Sequence, residues 1–123
     1  MGVTTYFFDT YAFLEVVLGS NSYQSFTQVG IITTKMNLFE LHYALFLKFG
    51  RAFADKIYDR FLPYAVDFSD ETIKKASIFR ASLKSRKLSY VDCLGYIIAL
   101  ASNIKFLTGD RQFRDLPCVE YVK

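Results

Sequence analysis

The chain has 123 residues, the length of one compact domain, and its 52% hydrophobic and 22% charged residues exclude a disordered polymer. Its net charge of +3 and pI near 8.8 permit a polyanionic partner without demanding one. Cys93 and Cys118 have no metal-type or disulfide-type spacing, no apolar run reaches the roughly 20 residues of a membrane span, and Asp9 and Glu15 interrupt an N-terminal stretch that lacks a basic segment before it. The expectation is a soluble cytoplasmic protein, one domain over residues 1–123, with neither signal peptide nor membrane partner. Thirteen Phe and nine Tyr are more rings than so small an interior needs, so some of them face a partner or a groove.

In chain order, residues 5–8 (Thr-Tyr-Phe-Phe) form a short apolar, β-prone run ending at Asp9, and residues 11–18 read as a helix. A turn at residues 19–22 caps a short helix through Gln28, and residues 30–34 read as a second buried strand. A long helix runs from about Met36 to Phe49, stopped by Gly50; another covers residues 51–62, closed by Pro63. The alternation over residues 64–68 predicts a third strand, and Ser69 opens a charged helix continuing to about Lys87. Ser89 caps a helix over residues 90–102; residues 105–108 and 119–122 are the last two strands. Strands separated by helices define an α/β domain with a mainly parallel sheet, because parallel neighbours need helical crossovers.

Four carboxylates stand out by position. Asp9 and Asp110 each follow an apolar strand, and open α/β sheets bind ligands beyond the carboxyl ends of their strands, where the strand order reverses. Glu40 shares a helix face with Tyr43, Ala44 and Leu47, and no basic residue stands three or four positions away. Asp92 opens a helix whose next 12 residues, Cys93 to Ile104, carry no charge. Singly, each acid has a plainer reading as a cap or a surface group, and Asp92 gains about 0.3–1 kcal/mol from a helix N-terminus, although Ser89 fills the better capping position. Together, pairs of them about 4 Å apart would repel by roughly 4 kcal/mol at an effective dielectric of about 20. Such a cluster needs shifted pKa values or bound cations. An all-oxygen donor set selects a hard ion, Mg²⁺ or Mn²⁺, suited to phosphodiester hydrolysis.

The segments that hold these acids are Phe7-Phe8-Asp9-Thr10-Tyr11-Ala12-Phe13-Leu14, Asn37-Leu38-Phe39-Glu40-Leu41, Leu88-Ser89-Tyr90-Val91-Asp92-Cys93-Leu94 and Phe106-Leu107-Thr108-Gly109-Asp110-Arg111-Gln112-Phe113. In order and spacing the chain resembles, over nearly its whole length, the PIN-domain ribonucleases, most closely the VapC-type toxins of prokaryotic toxin–antitoxin pairs. The resemblance implies a three-layer α/β/α sandwich with strand order 3-2-1-4-5 and a metal-dependent endoribonuclease. It implies Asp9, Glu40, Asp92 and Asp110 as the catalytic and metal-binding set, with Mg²⁺ or Mn²⁺ as cofactor, RNA as substrate, and a homodimer held inactive by a cognate antitoxin. Within that set, Asp9, Asp92 and Asp110 are metal ligands, direct or through water, while Glu40 either ligates or orients the attacking water. Many relatives carry a further acid two residues after the position of Asp110; here it is Gln112.

Thr10 and Thr108 are candidate supporting hydroxyls beside the ligands. Arg80 and the run Lys84-Ser85-Arg86-Lys87 either track an RNA backbone or form a solvated helix end, and Arg111 and Arg114 flank the last acidic motif as phosphate or carboxylate partners. His42 reads as a surface or interface residue and Cys93 as core. Asp67, Asp70 and Glu71 read as caps, and Asp115 as a turn residue outside the site. Phe46, Phe49, Phe53, Tyr58 and Phe61 exceed what one core face needs and point to a homodimer face or antitoxin groove.

A receiver domain would need an acidic pair after the first strand and a lysine at the last, and an aspartyl phosphatase a second Asp at position 11, which is Tyr11. The remaining competitor is a non-catalytic PIN-like module that binds RNA or protein. Four retained acids argue against it, because buried unpaired carboxylates cost stability.

Overall fold

The structure, a computed structural model, describes residues 2–123. Four parallel strands, β1 (Thr5–Phe8), β2 (Gly30–Ile32), β3 (Lys105–Thr108) and β4 (Val119–Tyr121), form one sheet in the order β2-β1-β3-β4. Five α-helices connect them: α1 (Thr10–Val17), α2 (Lys35–Phe49), α3 (Arg51–Phe61), α4 (Asp70–Ser82) and α5 (Tyr90–Ala101).

Strand periodicity builds two cores. Phe7 and Phe106 are register partners on one face of the sheet, stacked at 5.7 Å, and pack with Leu88, Cys93, Tyr96 and Ala99. Phe8 and Leu107, one residue on, point the other way and pack with Phe13 of α1, Leu38, Leu41 and Leu45 of α2, and Phe61 of α3. Each ring so buried contributes about 1.5–3 kcal/mol relative to exposure. Helices therefore cover both faces, the three-layer α/β/α arrangement expected from the sequence.

The expected third strand is reduced to a single parallel bridge between Thr33 and Ala65, with Thr33 N–H donating to Tyr64 O and Val66 N–H to Thr33 O. Its partner runs out: β2 stops at Ile32, and Thr34 already caps α2 by accepting the Asn37 N–H. Pro63 sits within a 3₁₀ turn at Leu62–Tyr64 that also shortens the segment. Order 3-2-1-4-5 holds if that bridge is counted as the edge strand.

The charged helix ends at Ser82 rather than near Lys87. A 3₁₀ turn follows at Lys84–Arg86, Lys87 takes a left-handed conformation (φ 54°), and Arg80 Nε donates to Leu88 O, folding the chain back onto the helix. Residues 21–26 form a 3₁₀ helix instead of a longer capped segment. Gly50, at φ 88°, stops α2 in a conformation that a side chain would strain.

Candidate active site

β1 and β3 lie side by side at the middle of the sheet, and the chain leaves them in opposite directions, to β2 on one side and β4 on the other. This is the switch point at which open α/β sheets form their crevice. Asp9 stands just beyond β1 and Asp110 just beyond β3.

Asp9 is 2% exposed. Its Oδ1 accepts the Ala12 N–H at 2.8 Å, capping α1, and its Oδ2 accepts the Thr108 hydroxyl. Burial, and next the charge of Asp92, push its carboxyl well above the usual range; the bonds from Thr108 and Ala12 oppose this, and Asp110 adds to the rise. The Thr108 oxygen in turn accepts the Asp110 N–H at 3.0 Å, so one hydroxyl ties the two strand-end acids together. Asp110 Oδ1 accepts the Gln112 N–H at 3.0 Å and caps the 3₁₀ turn Arg111–Phe113.

Glu40 comes from α2, with Oε1 accepting the Thr10 hydroxyl at 2.7 Å. Asp92 stands in the first turn of α5, whose N-cap Ser89 accepts the Asp92 N–H at 2.9 Å. Burial, and then the charge of Glu40, push the Asp92 carboxyl up to about 6; Asp110 adds a smaller upward push against the Ser89 bond. All four acids line one cleft of about 650 Å³, with Arg111, Gln112 and Lys123 also on its lining.

The donor chemistry fits a hard divalent cation: four carboxylates with hydroxyl support and neither imidazole nor thiol in the lining. Among the described residues, however, no three carboxylate, imidazole or thiol groups form a ready-made metal cage. Gly109 shapes the cleft wall, since a Cβ there would stand 2.0 Å from a ring carbon of Tyr11.

Several expectations change in detail. The Glu40 face of α2 is unpacked: Tyr43 and Leu47 are 59% and 65% exposed, and the core takes the Leu38, Leu41 and Leu45 stripe instead. Arg86 is engaged by Asp115 (2.7 and 3.0 Å) and Gln112 O, which makes Asp115 its structural partner. Arg80 is held by Leu88 O and lies over the Tyr90 ring, and Arg114 lies 5.9 Å from the Tyr121 ring. Of the basic candidates, Arg111 lines the cleft. His42 bridges α2 to Asp55 of α3 at 2.7 Å, and Cys93 is buried. Ser69 caps α4, with Asp70 and Glu71 in its first turn.

Sequence reasoning did not single out Asn37. It is fully buried, accepts the Thr34 hydroxyl at 2.7 Å, and donates from Nδ2 to Thr10 Oγ1 at 3.4 Å. Its place one turn before Glu40 was the available signal.

The PIN domain family model matches residues 6–117, and the chain belongs to that family. Among solved structures it is similar to a chain of VapBC2 from Rickettsia felis bound to a DNA fragment from their promoter (20% identity, 98% of this chain and 100% of that chain, TM-score 0.73). It is also similar to Mycobacterium tuberculosis VapC20, a sarcin–ricin loop cleaving toxin (15% identity, 98% and 100% covered, TM-score 0.76). A toxin–antitoxin complex from Klebsiella pneumoniae gives 13% identity, 94% and 95% coverage and a TM-score of 0.73. These likenesses establish a shared fold. No curated protein sequence matches the chain.

Proposed function

We propose that this PIN domain is a metal-dependent endoribonuclease and the toxin of a toxin–antitoxin pair. The observation that carries the reading is the convergence of Asp9, Glu40, Asp92 and Asp110 from four separate elements on one cleft at the switch point, with the carboxyls of Asp9 and Asp92 pushed upward by burial and by neighbouring acids of the set. Four acids gathered in one cleft require raised pKa values or a compensating charge, because each ionisation raises the cost of the next.

On this reading Asp9, Asp92 and Asp110 hold Mg²⁺ or Mn²⁺, directly or through water, and Glu40 ligates or orients the attacking water. When bound, the cation supplies positive charge to the phosphoryl oxygens and lowers the pKa of water. Thr108 keeps the Asp9 and Asp110 strand ends in register, and exposed Arg111 places positive charge on the rim, where an RNA phosphate would lie. The likeness to VapBC2 and to a toxin–antitoxin complex supports a cognate antitoxin, and the exposed Phe39, Tyr43 and Leu47 of α2 offer an apolar surface for an antitoxin or a second copy. A cytoplasmic setting and a single domain spanning all 123 residues belong to the same reading.

The test is incubation of a folded RNA pool with the purified chain in Mg²⁺, in Mn²⁺ and in EDTA, beside Asp9→Asn. Metal-dependent cuts absent from the variant are expected. RNA binding without cleavage under either metal would replace this reading with the non-catalytic module.

A further inference from the structure

Asn37 is a polar side chain with no solvent exposure, on a helix whose neighbouring buried residues, Leu38 and Leu41, are apolar. Its hydrogen bonds have a fixed direction. The Thr34 oxygen accepts the Asn37 backbone N–H at 3.2 Å, which leaves the Thr34 proton to be donated to Asn37 Oδ1. The amide nitrogen must then face Thr10, whose oxygen accepts from it. A carboxylate oxygen only accepts, so the single Thr10 proton goes to Glu40 Oε1, and the Asn37 amide, donating to the Thr10 oxygen, leaves that proton free for it. Every donor in the chain Thr34–Asn37–Thr10–Glu40 points toward the cleft.

We propose that Asn37 and Thr10 are positioning residues for Glu40: the buried amide sets the polarity of the Thr10 hydroxyl, which holds Glu40 Oε1 as an acceptor and leaves its other oxygen to the reaction. The inference rests on the nuclease reading and deepens it. The relay spans two elements that both reach the cleft, since Thr10 begins α1 immediately after Asp9 and Glu40 lies one turn along α2 from Asn37. It therefore fixes the separation between the first and second acids of the site. Supporting residues of this kind change metal affinity or activity by about 10–100-fold when lost.

The test uses the full chain with three substitutions. Thr10→Val keeps the shape and removes the proton. Thr10→Ser restores it. Asn37→Asp keeps the shape and replaces the donor facing Thr10 with an acceptor, turning the hydroxyl away from Glu40. Thr10→Val and Asn37→Asp are expected to lower kcat by about 10–100-fold while RNA affinity in EDTA stays unchanged, and Thr10→Ser is expected to retain most of the rate. A Thr10→Val enzyme with the wild-type kcat, or one whose loss lies in RNA affinity instead, overturns the proposal. A readout independent of activity accompanies these: Thr10→Val leaves the buried Asn37 amide without its acceptor in either background, so its lowering of the melting midpoint should be larger by about 2–5 °C in the wild-type than in a Glu40→Ala background. Equal lowering in both backgrounds overturns the relay. A wild-type chain that cuts no RNA overturns the nuclease reading, and the melting comparison then decides the relay on its own.

Discussion

Both oxygens of Asp9 are occupied by protein donors, one by the α1 backbone and one by Thr108, yet burial and two neighbouring acids still favour its protonated form. Asp92 has less help, and its carboxyl sits near 6 against an ordinary value of 3.8. Between those values the folded state keeps a proton that the unfolded state has released, so stability falls as pH rises through the window. The loss is about 3 kcal/mol at most for this one group. In EDTA the melting midpoint should therefore drop between about pH 4 and pH 6.5; Asp92→Asn should flatten that slope and melt higher at neutral pH, and saturating Mg²⁺ should raise the wild-type midpoint. A midpoint that climbs across this window in the wild type would show that Asp92 is not destabilised by its neighbours. The four acids were legible in the sequence because they interrupt apolar runs, where a charge has no packing reason to be. Asn37 was not, because an asparagine on a helix looks like a surface residue until its burial and its Thr34 and Thr10 partners are known.

Among the elements, the parallel strands and two helix starts are readable from periodicity and capping residues: Ser69 and Ser89 each accept a backbone N–H three residues on, whereas Thr34, expected in a strand, caps α2. What failed depended on tertiary partners. The alternation over residues 64–68 promises a strand, but β2 stops at Ile32 and a single residue beyond it, Thr33, is there to bridge. The charged helix ends at Ser82, short of the expected Lys87, because the Arg80 bond to Leu88 O and the Arg86 pair with Asp115 redirect the chain, and neither is visible in local pattern. The turn after β3 is set by contact as well. Gly109→Ala would drive a methyl into the Tyr11 ring between the Asp9 and Asp110 segments, and overpacking of this kind costs about 1–3 kcal/mol. Thermal melting should show a midpoint lower by several degrees, with cleavage reduced further than the stability loss explains. An unchanged midpoint would mean that Tyr11 swings aside freely.

For the molecule as a whole, the two cores divide by strand parity, Phe7 and Phe106 against Phe8 and Leu107, so the sheet is packed on both faces up to the edge where Asp9 and Asp110 emerge. The fold thereby supplies a fixed acidic floor, while the surplus aromatic content appears on the outside of α2 as Phe39, Tyr43 and Phe46, away from either core. The proposed nuclease activity depends on that floor holding a cation. Calorimetric titration of Mn²⁺ into the metal-free chain, beside Asp9→Asn and Asp92→Asn, tests this most directly. Saturable binding in the wild type that both substitutions abolish is the predicted result; no binding, or binding that both variants retain, would contradict a metal centre built from these acids.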